Sequence, residues 1–243
     1  ISGTGGTINS STSASTTFSG LTQGSYTLRL TVADNLGATA YDDVTVTVNP
    51  EAGTGGGNGF SDDFNRADST TFGSSWIKRV SGTADFKLIS NKIELIGNYL
   101  ETASLHTTSG ISSPNYTVQS KITFPSTENM FAGVAGRRIN KTGANYNGYM
   151  AFAEPGEQSV TLYKRVGTTW TRLGTYATTI NPGTEYTIGL SMNGTTIKAL
   201  WNGAEVLSVT DSKFTATGSA AIVIGTGYEV VGVTWDDFSV TPN

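Results

Sequence analysis

Short runs in which hydrophobic and polar residues alternate recur along most of the chain. Residues 26–32 place two leucines, a tyrosine and a valine on one face, and residues 44–48 alternate again. A period of two is typical of a β-strand with one buried face. Residues 34–37, Asp-Asn-Leu-Gly, lie between these runs and have the composition of a tight turn. The first fifty residues therefore contain a predicted β-hairpin.

The pattern continues through residues 60–243, where apolar-alternating runs are separated by Gly-, Asn- and Pro-containing turns. No helical period interrupts them, and even spacing of short strands predicts two packed antiparallel sheets. The fold class we expect is all-β. The clearest runs are residues 92–96, 116–124, 130–135, 149–153, 160–165, 186–192, 197–201, 220–224 and 231–240.

Composition divides the chain at a glycine-rich segment. Residues 51–59 contain almost no side chain that could join a core, and we expect them to form a flexible linker between units 1–50 and 60–243. Charged residues make up only 14% of the chain, while glycine occurs 30 times. Low charge with abundant Thr, Asn and Gly suits many short strands in a secreted or cell-surface protein.

Charge and cysteine usage exclude several classes of function. The formal net charge is −4 and Lys and Arg do not cluster, so nucleic acid is not an expected partner. No apolar run reaches the roughly 18 residues that a membrane helix needs, so we expect no membrane insertion. The chain has no cysteine, which excludes disulfides, thiol catalysis and Cys-ligated zinc.

The first unit carries motifs of a known family. Gly24-x-Tyr26, Val32-x-Asp34-x-x-Gly37 and the closing Val-x-Val run resemble the second half of a PKD (polycystic-kidney-disease) domain, an immunoglobulin-like sandwich. The resemblance implies that residues 1–50 are a partial sandwich acting as a spacer between modules. Because the opening strands of that fold are not in the sequence, we expect half of the apolar face to lack cover.

The second unit resembles the concanavalin-like jelly-roll group, which includes laminin-G-like domains and carbohydrate-binding modules. The resemblance is carried by Trp76 and by residues 62–68, 133–137, 162–166 and 233–240. It implies an antiparallel β-jelly roll and points to a non-catalytic polysaccharide- or glycan-binding module of a secreted bacterial modular protein. The same architecture also serves lectins, spacers and glycosidases.

Two Asp-Asp-Phe motifs open and close this unit, at residues 62–64 and 236–238. The first and last strands of a jelly roll commonly lie side by side, and Asp62 and Asp236 share a face with core-directed phenylalanines. A carboxylate there needs a cation or several hydrogen-bond donors. The resemblance implies a structural Ca²⁺ bound by Asp62 and Asp236. The alternatives are turn capping, backbone N–H bonds, or an ion pair with Arg66.

Aromatic and basic residues of the middle strands are the ligand candidates, because sugar rings stack on aromatic faces and guanidinium groups bond hydroxyls. With Met150 and Phe152 taken as core residues, alternation sends their neighbours to an exposed concave face. The alternative is that these side chains only pack across strands. The predicted ligand-binding residues are Arg137, Tyr149, Tyr163, Arg165, Trp170 and Trp201.

Catalysis is not expected from the carboxylates or from the single histidine. Glycosidases of this fold carry Glu-x-Asp-x-x-Glu on one strand, and this run does not occur. Glu154 and Glu157 flank a Pro-Gly turn, and nothing around His106 suggests a relay. Two alternatives stay open: a purely structural or adhesive surface module without sugar affinity, and a glycosidase or lyase with an atypical site. Other modules of the same parent chain are the further expected partners.

Overall fold

The structure, a computed structural model, describes residues 6–20, 24–48, 59–80, 84–97, 102–109, 111–127, 130–139, 147–225 and 232–243. The chain divides into two compact units, Ile1–Glu51 and Ala52–Asn243. All regular structure in the described ranges is β, which confirms the all-β expectation. Within these ranges no helix has the length and apolarity needed to cross a membrane. Residues 51–58 of the expected linker lie outside the described residues.

The first unit consists of two antiparallel hairpins. The short one pairs β1 (Thr7–Ile8) with β2 (Phe18–Ser19), and the long one pairs β3 (Gly24–Ala33) with β4 (Thr39–Val48). On the long hairpin Tyr26 and Leu28 are buried, but the exposed fraction is 67% for Leu30 and 57% for Val44. Part of the apolar face is therefore open to solvent, as expected for a partial sandwich.

The second unit is a sandwich of two antiparallel sheets. An eight-stranded sheet has the order β17-β16-β15-β10-β19-β8-β7, with β5 also paired to β19, and a seven-stranded sheet has the order β14-β13-β12-β11-β18-β9-β6. The strands are β5 (Phe60–Asp62), β6 (Ile77–Arg79), β7 (Asp85–Ile89), β8 (Lys92–Ile96), β9 (Thr102–Thr107), β10 (Tyr116–Thr123), β11 (Phe131–Ile139), β12 (Asn147–Glu154), β13 (Ser159–Val166), β14 (Thr169–Ala177), β15 (Glu185–Asn193), β16 (Thr196–Trp201), β17 (Ala204–Thr210), β18 (Ser219–Gly225) and β19 (Thr234–Pro242).

The main core lies between the two sheets and follows the alternation of the strands. Strand β10 is the clearest case, because every second residue from Tyr116 onward is buried. The seven-stranded sheet differs, since β12 and β18 are buried on both faces. Its face away from the main core, here called the outer face, carries a second apolar cluster that includes Met150 and Phe152. Burial on both faces removes the period-two signal from these strands.

The first and last strands of this unit are neighbours, as the sequence predicted. Strand β5 pairs with β19 in antiparallel register, with Phe60 opposite Val240 and Asp62 opposite Phe238. The rings of Phe60 and Phe238 both contact Trp76 edge-on, with centroids 5.5 and 4.9 Å away. This aromatic packing closes one end of the core around the pairing of the two strands.

A β-bulge interrupts strand β11 where it approaches its end. Against β12 the register moves from Gly136 opposite Tyr149 to Ile139 opposite Asn147, so two residues face one. Arg137 lies in the bulge with a φ of 45°, in the left-handed region. A residue in this conformation no longer follows the alternation of the strand, so its side chain leaves the direction that sequence spacing predicts.

Candidate functional site: an aromatic cluster on the outer face

Four aromatic side chains meet on the outer face of the seven-stranded sheet. We call Phe131, Phe152, Tyr163 and Trp170 the aromatic cluster. Phe152 is buried at its base, with its ring centroid 4.9 Å from Phe131, 5.9 Å from Tyr163 and 6.0 Å from Trp170. The other three rings are partly exposed and pack against it. Partly exposed rings supported from below form a rigid apolar platform.

The β13–β14 hairpin places half of this cluster. Its register sets Arg165 opposite Trp170 and Tyr163 opposite Arg172, across a turn in which Gly167 has a φ of 59°. Because side chains two apart share a face, these four residues form one patch. Tyr163 and Arg165 thus point away from Leu162 and the main core, as expected from the sequence.

Polar groups border the cluster on the side of Tyr163. Glu154 is buried, and its carboxylate accepts hydrogen bonds from Ser159 (3.2 Å), Thr161 (2.8 Å) and the Tyr163 hydroxyl (3.0 Å). Arg172 donates through Nε and Nη2 to the same Tyr163 oxygen, at 3.2 and 3.0 Å. The phenol is therefore fixed by a donor on one side and an acceptor on the other.

The ionisation of this pair follows from burial and the two partners. Burial raises the pKa of Tyr163, and the Arg172 hydrogen bond opposes that rise. The pKa of Arg172 is raised in turn, mainly by its hydrogen bond to Tyr163. At neutral pH the phenol is protonated and the guanidinium is charged, so the patch presents one fixed cation beside an apolar platform.

Arg165 supports the platform from below. Its guanidinium carbon lies 4.9 Å from the centroid of the Trp170 ring, and its Nε donates to the Gly167 carbonyl at 3.0 Å. Only 2% of Arg165 is exposed. A cation stacked on an indole stabilises the ring position. Arg165 therefore lies on the outer face, as the sequence predicted, but it is buried, so the expected exposed position was wrong and its contacts hold Trp170.

Arg137 does not lie on the outer face, and the expectation of an exposed position was wrong. The bulge turns its side chain inward, where it is fully buried. Its guanidinium donates to the carbonyls of Pro114 (2.8 Å), Gly194 (2.7 Å) and Phe214 (2.8 Å), and to the Asn115 side chain at 3.3 Å. Arg137 joins three loops at one end of the sandwich and has no surface for a ligand.

Tyr149 is also buried, and its expected position was wrong for a different reason. The whole run from Tyr149 to Ala153 is inaccessible, and Tyr149 belongs to the main core while Met150 faces outward. Its hydroxyl donates to Asp211 Oδ1 at 2.6 Å and accepts from the Phe214 amide at 3.1 Å. Burial, and after it the hydrogen bond to Asp211, raise the pKa of Tyr149 to about 12, and the Phe214 amide opposes that rise. Where both faces are apolar, alternation cannot say which face is which.

Trp201 lies in the other sheet, away from the aromatic cluster. It ends β16, is buried, and stacks on Tyr186 with centroids 4.7 Å apart and an interplanar angle of 18°. Its position near a hairpin tip suggested exposure, but the ring covers the edge of the main core. His106, the single histidine, is buried in β9.

The Asp62 carboxylate is surrounded by donors. Arg66 binds it through both terminal nitrogens at 2.6 and 3.0 Å, the Trp76 indole donates at 2.7 Å and the Phe64 amide at 2.9 Å. These contacts match the alternative of turn capping and an Arg66 ion pair. A calcium ion at this carboxylate would have to displace a guanidinium, so the donor set does not fit a cation.

Asp236 offers no better fit for calcium. It accepts the Asp237 amide at 2.9 Å, and the Lys92 ammonium lies 4.0 Å away. Burial raises the pKa of the Asp236 carboxyl. In the described ranges no group of three or more Asp, Glu or His residues is arranged to hold a metal ion. Calcium binding by Asp62 and Asp236 stays a prediction.

The sequence interpretation missed Phe131, Phe152, Glu154 and Arg172. Arg172 carried a usable signal, because it follows Trp170 by two residues in a run that pairs with Tyr163 and Arg165 across a two-residue turn. The phenylalanines carried none, since apolar residues of a strand buried on both faces look alike. Glu154 was considered only as one of a carboxylate pair, and its hydroxyl partners lie on the next strand.

Known proteins share parts of this architecture. Residues 1–48 match the family described as K319L-like, PKD domain. None of the curated proteins matches the chain. Among solved structures, it is similar to the carbohydrate binding module CBM66 from Bacillus subtilis, with 19% identity and a TM-score of 0.50 over 70% of this chain and 92% of that one.

Two further structures are similar at low identity. A β-glucanase from Bacillus licheniformis is 9% identical with a TM-score of 0.58, over 77% of this chain and 99% of that one. The Emp46p carbohydrate recognition domain in its potassium-bound form is 13% identical with a TM-score of 0.53, over 69% and 88%. At such identities the comparison defines the fold, a jelly-roll sandwich found in binding modules, lectins and enzymes.

Proposed function

We propose that the second unit is a non-catalytic carbohydrate-binding module whose binding surface is the aromatic cluster on the outer face. The observation that carries the proposal is a platform of partly exposed rings, Phe131, Tyr163 and Trp170, supported by buried Phe152. Sugar rings present C–H faces that pack on such platforms, and polar groups at the border bond their hydroxyls. The similarity to a carbohydrate binding module is consistent with this use of the fold.

The wider setting belongs to the same proposal. The PKD-like first unit serves as a spacer, and the module acts beside other modules of a secreted bacterial protein. Support comes from the family match at residues 1–48 and from a low-charge surface without a basic cluster. The ligand is a polysaccharide or glycan.

A glycan array with the intact chain tests the proposal. We expect binding to at least one class of oligosaccharide, and we expect Trp170→Ala to weaken it by about 10-fold or more, because losing a stacking aromatic costs about 1–3 kcal/mol. Tyr176→Ala is the matched control, since Tyr176 is an exposed aromatic of the same strand outside the cluster. Binding that survives Trp170→Ala with an unchanged melting temperature would refute this site. No binding to any glycan would favour a structural or adhesive module.

A glycosidase or lyase is the second candidate, and one observation favours it. Arg172 contacts both Glu157 and Tyr163, and Tyr163 contacts Glu154, so two carboxylates reach the border of one platform. Glycoside hydrolysis uses such a pair, one residue with its proton and one without. Release of reducing ends from soluble polysaccharides, abolished by Glu154→Gln and unaffected by Glu205→Gln, would support catalysis over simple binding.

A further inference from the structure

The guanidinium of Arg172 has unused donor capacity. Its Nε and Nη2 are hydrogen-bonded to Tyr163, and Nη2 also reaches Glu157, but Nη1 donates to no residue in the part of the chain that the structure describes. The side chain is 48% exposed. A guanidinium offers two parallel edges that match the two oxygens of a carboxylate. The edge formed by Nη1 and Nη2 at the border of the platform therefore has one unused donor, Nη1, beside Nη2, which reaches Glu157.

Arg172 is held in position by a neutral residue rather than by its ion pair. Two of its nitrogens bind the Tyr163 oxygen, and its guanidinium carbon lies 5.6 Å from the centroid of that ring. Tyr163 is fixed in turn by buried Glu154. Because this support does not depend on Glu157, the guanidinium keeps its orientation when a different anion approaches.

Glu157 occupies the guanidinium only loosely. It reaches Arg172 through Nη2 alone, at 3.0 and 3.4 Å, and its side chain is 55% exposed. Exposed ion pairs contribute little to stability because water and salt compete for both charges. A carboxylate delivered by a ligand that is already stacked on the platform can replace it at small cost.

We propose that the site recognises acidic glycans: Arg172 binds the carboxylate of a uronic-acid-type sugar, and Glu157 is an internal competitor that the sugar carboxylate displaces. The inference rests on the proposed glycan-binding function. Stacking on Trp170 and Tyr163 holds the ring of the sugar, and the Nη1–Nη2 edge of Arg172 selects its charge. The exchange breaks one exposed ion pair and forms another. Specificity therefore depends on the difference in free energy between Arg172 bound to the sugar carboxylate and Arg172 bound to Glu157.

The test uses uronic-acid hexasaccharides and their carboxyl-reduced neutral counterparts, titrated into the intact chain and its variants. We expect Arg172→Gln to weaken binding of the acidic probes about 10-fold or more and of the neutral probes less than 2-fold. We expect Glu157→Gln to tighten binding of the acidic probes about 3-fold or more. Glu205→Gln removes the same charge from an exposed ion pair on the other sheet, and it should change neither the affinity for acidic probes nor the affinity for neutral probes.

The outcomes separate this inference from the proposed function. Equal loss of acidic and neutral binding in Arg172→Gln overturns charge recognition, and unchanged acidic affinity in Glu157→Gln overturns the role of Glu157 as a competitor. Binding of neutral probes only, still abolished by Trp170→Ala, overturns charge recognition while the carbohydrate-binding site stands. Failure of the unmodified chain to bind any probe or any glycan on an array removes the proposed function and this inference with it.

Discussion

Arg137 is a buried guanidinium whose acceptors are all uncharged. Desolvation lowers its pKa, and three carbonyl oxygens and one side-chain amide compensate for the lost water. These acceptors come from the loop before β10, the β15–β16 turn and the loop after β17. A single side chain thus closes one end of the sandwich, and its removal leaves the carbonyl of buried Phe214 and the less buried carbonyls of Pro114 and Gly194 without this donor.

We expect Arg137→Met to lower the free energy of unfolding of the second unit by about 2–4 kcal/mol, because the hydrogen bonds that join three loops are lost and the acceptor of buried Phe214 loses its donor. Urea denaturation measures the change. Lys198→Met is the control, since Lys198 is in an exposed ion pair with Glu205, and we expect a change within about 0.5 kcal/mol. An Arg137 variant as stable as the parent would show that water replaces the guanidinium.

A variant of Asp62 distinguishes calcium binding from hydrogen bonding of its carboxylate by protein donors. Because Arg66, Trp76 and the Phe64 amide already bind the carboxylate, we expect Asp62→Ala to lower the melting temperature and excess chelator to leave it unchanged. A lower melting temperature in chelator, restored by calcium and absent in Asp236→Ala, would instead establish the metal site, because an ion that binds the folded state stabilises it.

The pH dependence of stability contains a contribution from Asp236. Its pKa is raised in the folded protein, mainly by burial, so the folded state binds a proton more readily than the unfolded chain. The contribution of Asp236 is therefore most favourable at acidic pH and is lost as the pH rises through its folded pKa. We expect Asp236→Asn to be slightly stabilising at pH 7, by a few tenths of a kcal/mol, and neutral near pH 3. Thermal melts at both values check this, with destabilisation at pH 7 as the contrary result.

At the scale of elements, most strands were predictable and their faces were less so. Strand β8 matches its predicted run, β10 and β16 differ from theirs by one residue at one end, and β13 and β15 by one residue at each end, because each run alternates and ends at a Gly, Asn or Pro turn. The bulge in β11 was not predictable, since nothing in Gly136-Arg137-Arg138 marks where a register shift falls. The inward and outward faces of strand β12 could not be assigned from the sequence, because both of its faces are buried. The candidate site was predicted only on β13, which is an alternating run, because β14 does not alternate and was not among the predicted strands.

The bulge imposes a requirement on the strand beside it. Gly218, just before β18, lies so close to β11 that an added Cβ would be 2.5 Å from the Arg137 carbonyl carbon and 2.7 Å from the Arg138 nitrogen. We expect Gly218→Ala to destabilise the unit by at least about 2 kcal/mol in urea denaturation, because backbone atoms cannot move aside. Gly174→Ala, whose Cβ would contact the side chains of Leu207 at 3.4 Å and Val209 at 3.8 Å, should change stability by less than about 1 kcal/mol. Equal effects at the two positions would show that the bulge does not require glycine at position 218.

At the scale of the whole molecule, the two units differ in how completely they cover their apolar surface. The second unit buries one continuous core between two sheets, whereas the first leaves Leu30, Val32 and Val44 mostly exposed. A small unit with an open apolar face has little free energy to set against chain entropy. Sequence predicted this difference, because fifty residues with few strands cannot close a sandwich.

We expect a fragment of residues 60–243 to unfold in a single cooperative transition and a fragment of residues 1–50 to show none. Circular dichroism during heating measures the unfolding of both fragments. The loss of β-structure is sharp only where the whole core unfolds cooperatively. The intact chain is the control, and its main transition should coincide with that of the longer fragment. A sharp transition in the isolated first fragment would mean that its exposed apolar face does not prevent it from folding alone.

The pairing of β5 with β19 also determines how the second unit responds to tension. Phe60 and Val240 are opposite each other in an antiparallel ladder, so Gly59 and Thr241 lie at the same end of that ladder, where Thr241 stays paired with Thr117 of β10. A pulling force applied at these two points separates β5 from β19 one hydrogen-bonded pair at a time, because the load falls on the outermost pair first. The module therefore yields at low force from this edge inward. A glycan held by the aromatic cluster, on the other sheet, adds no resistance to the opening of that edge.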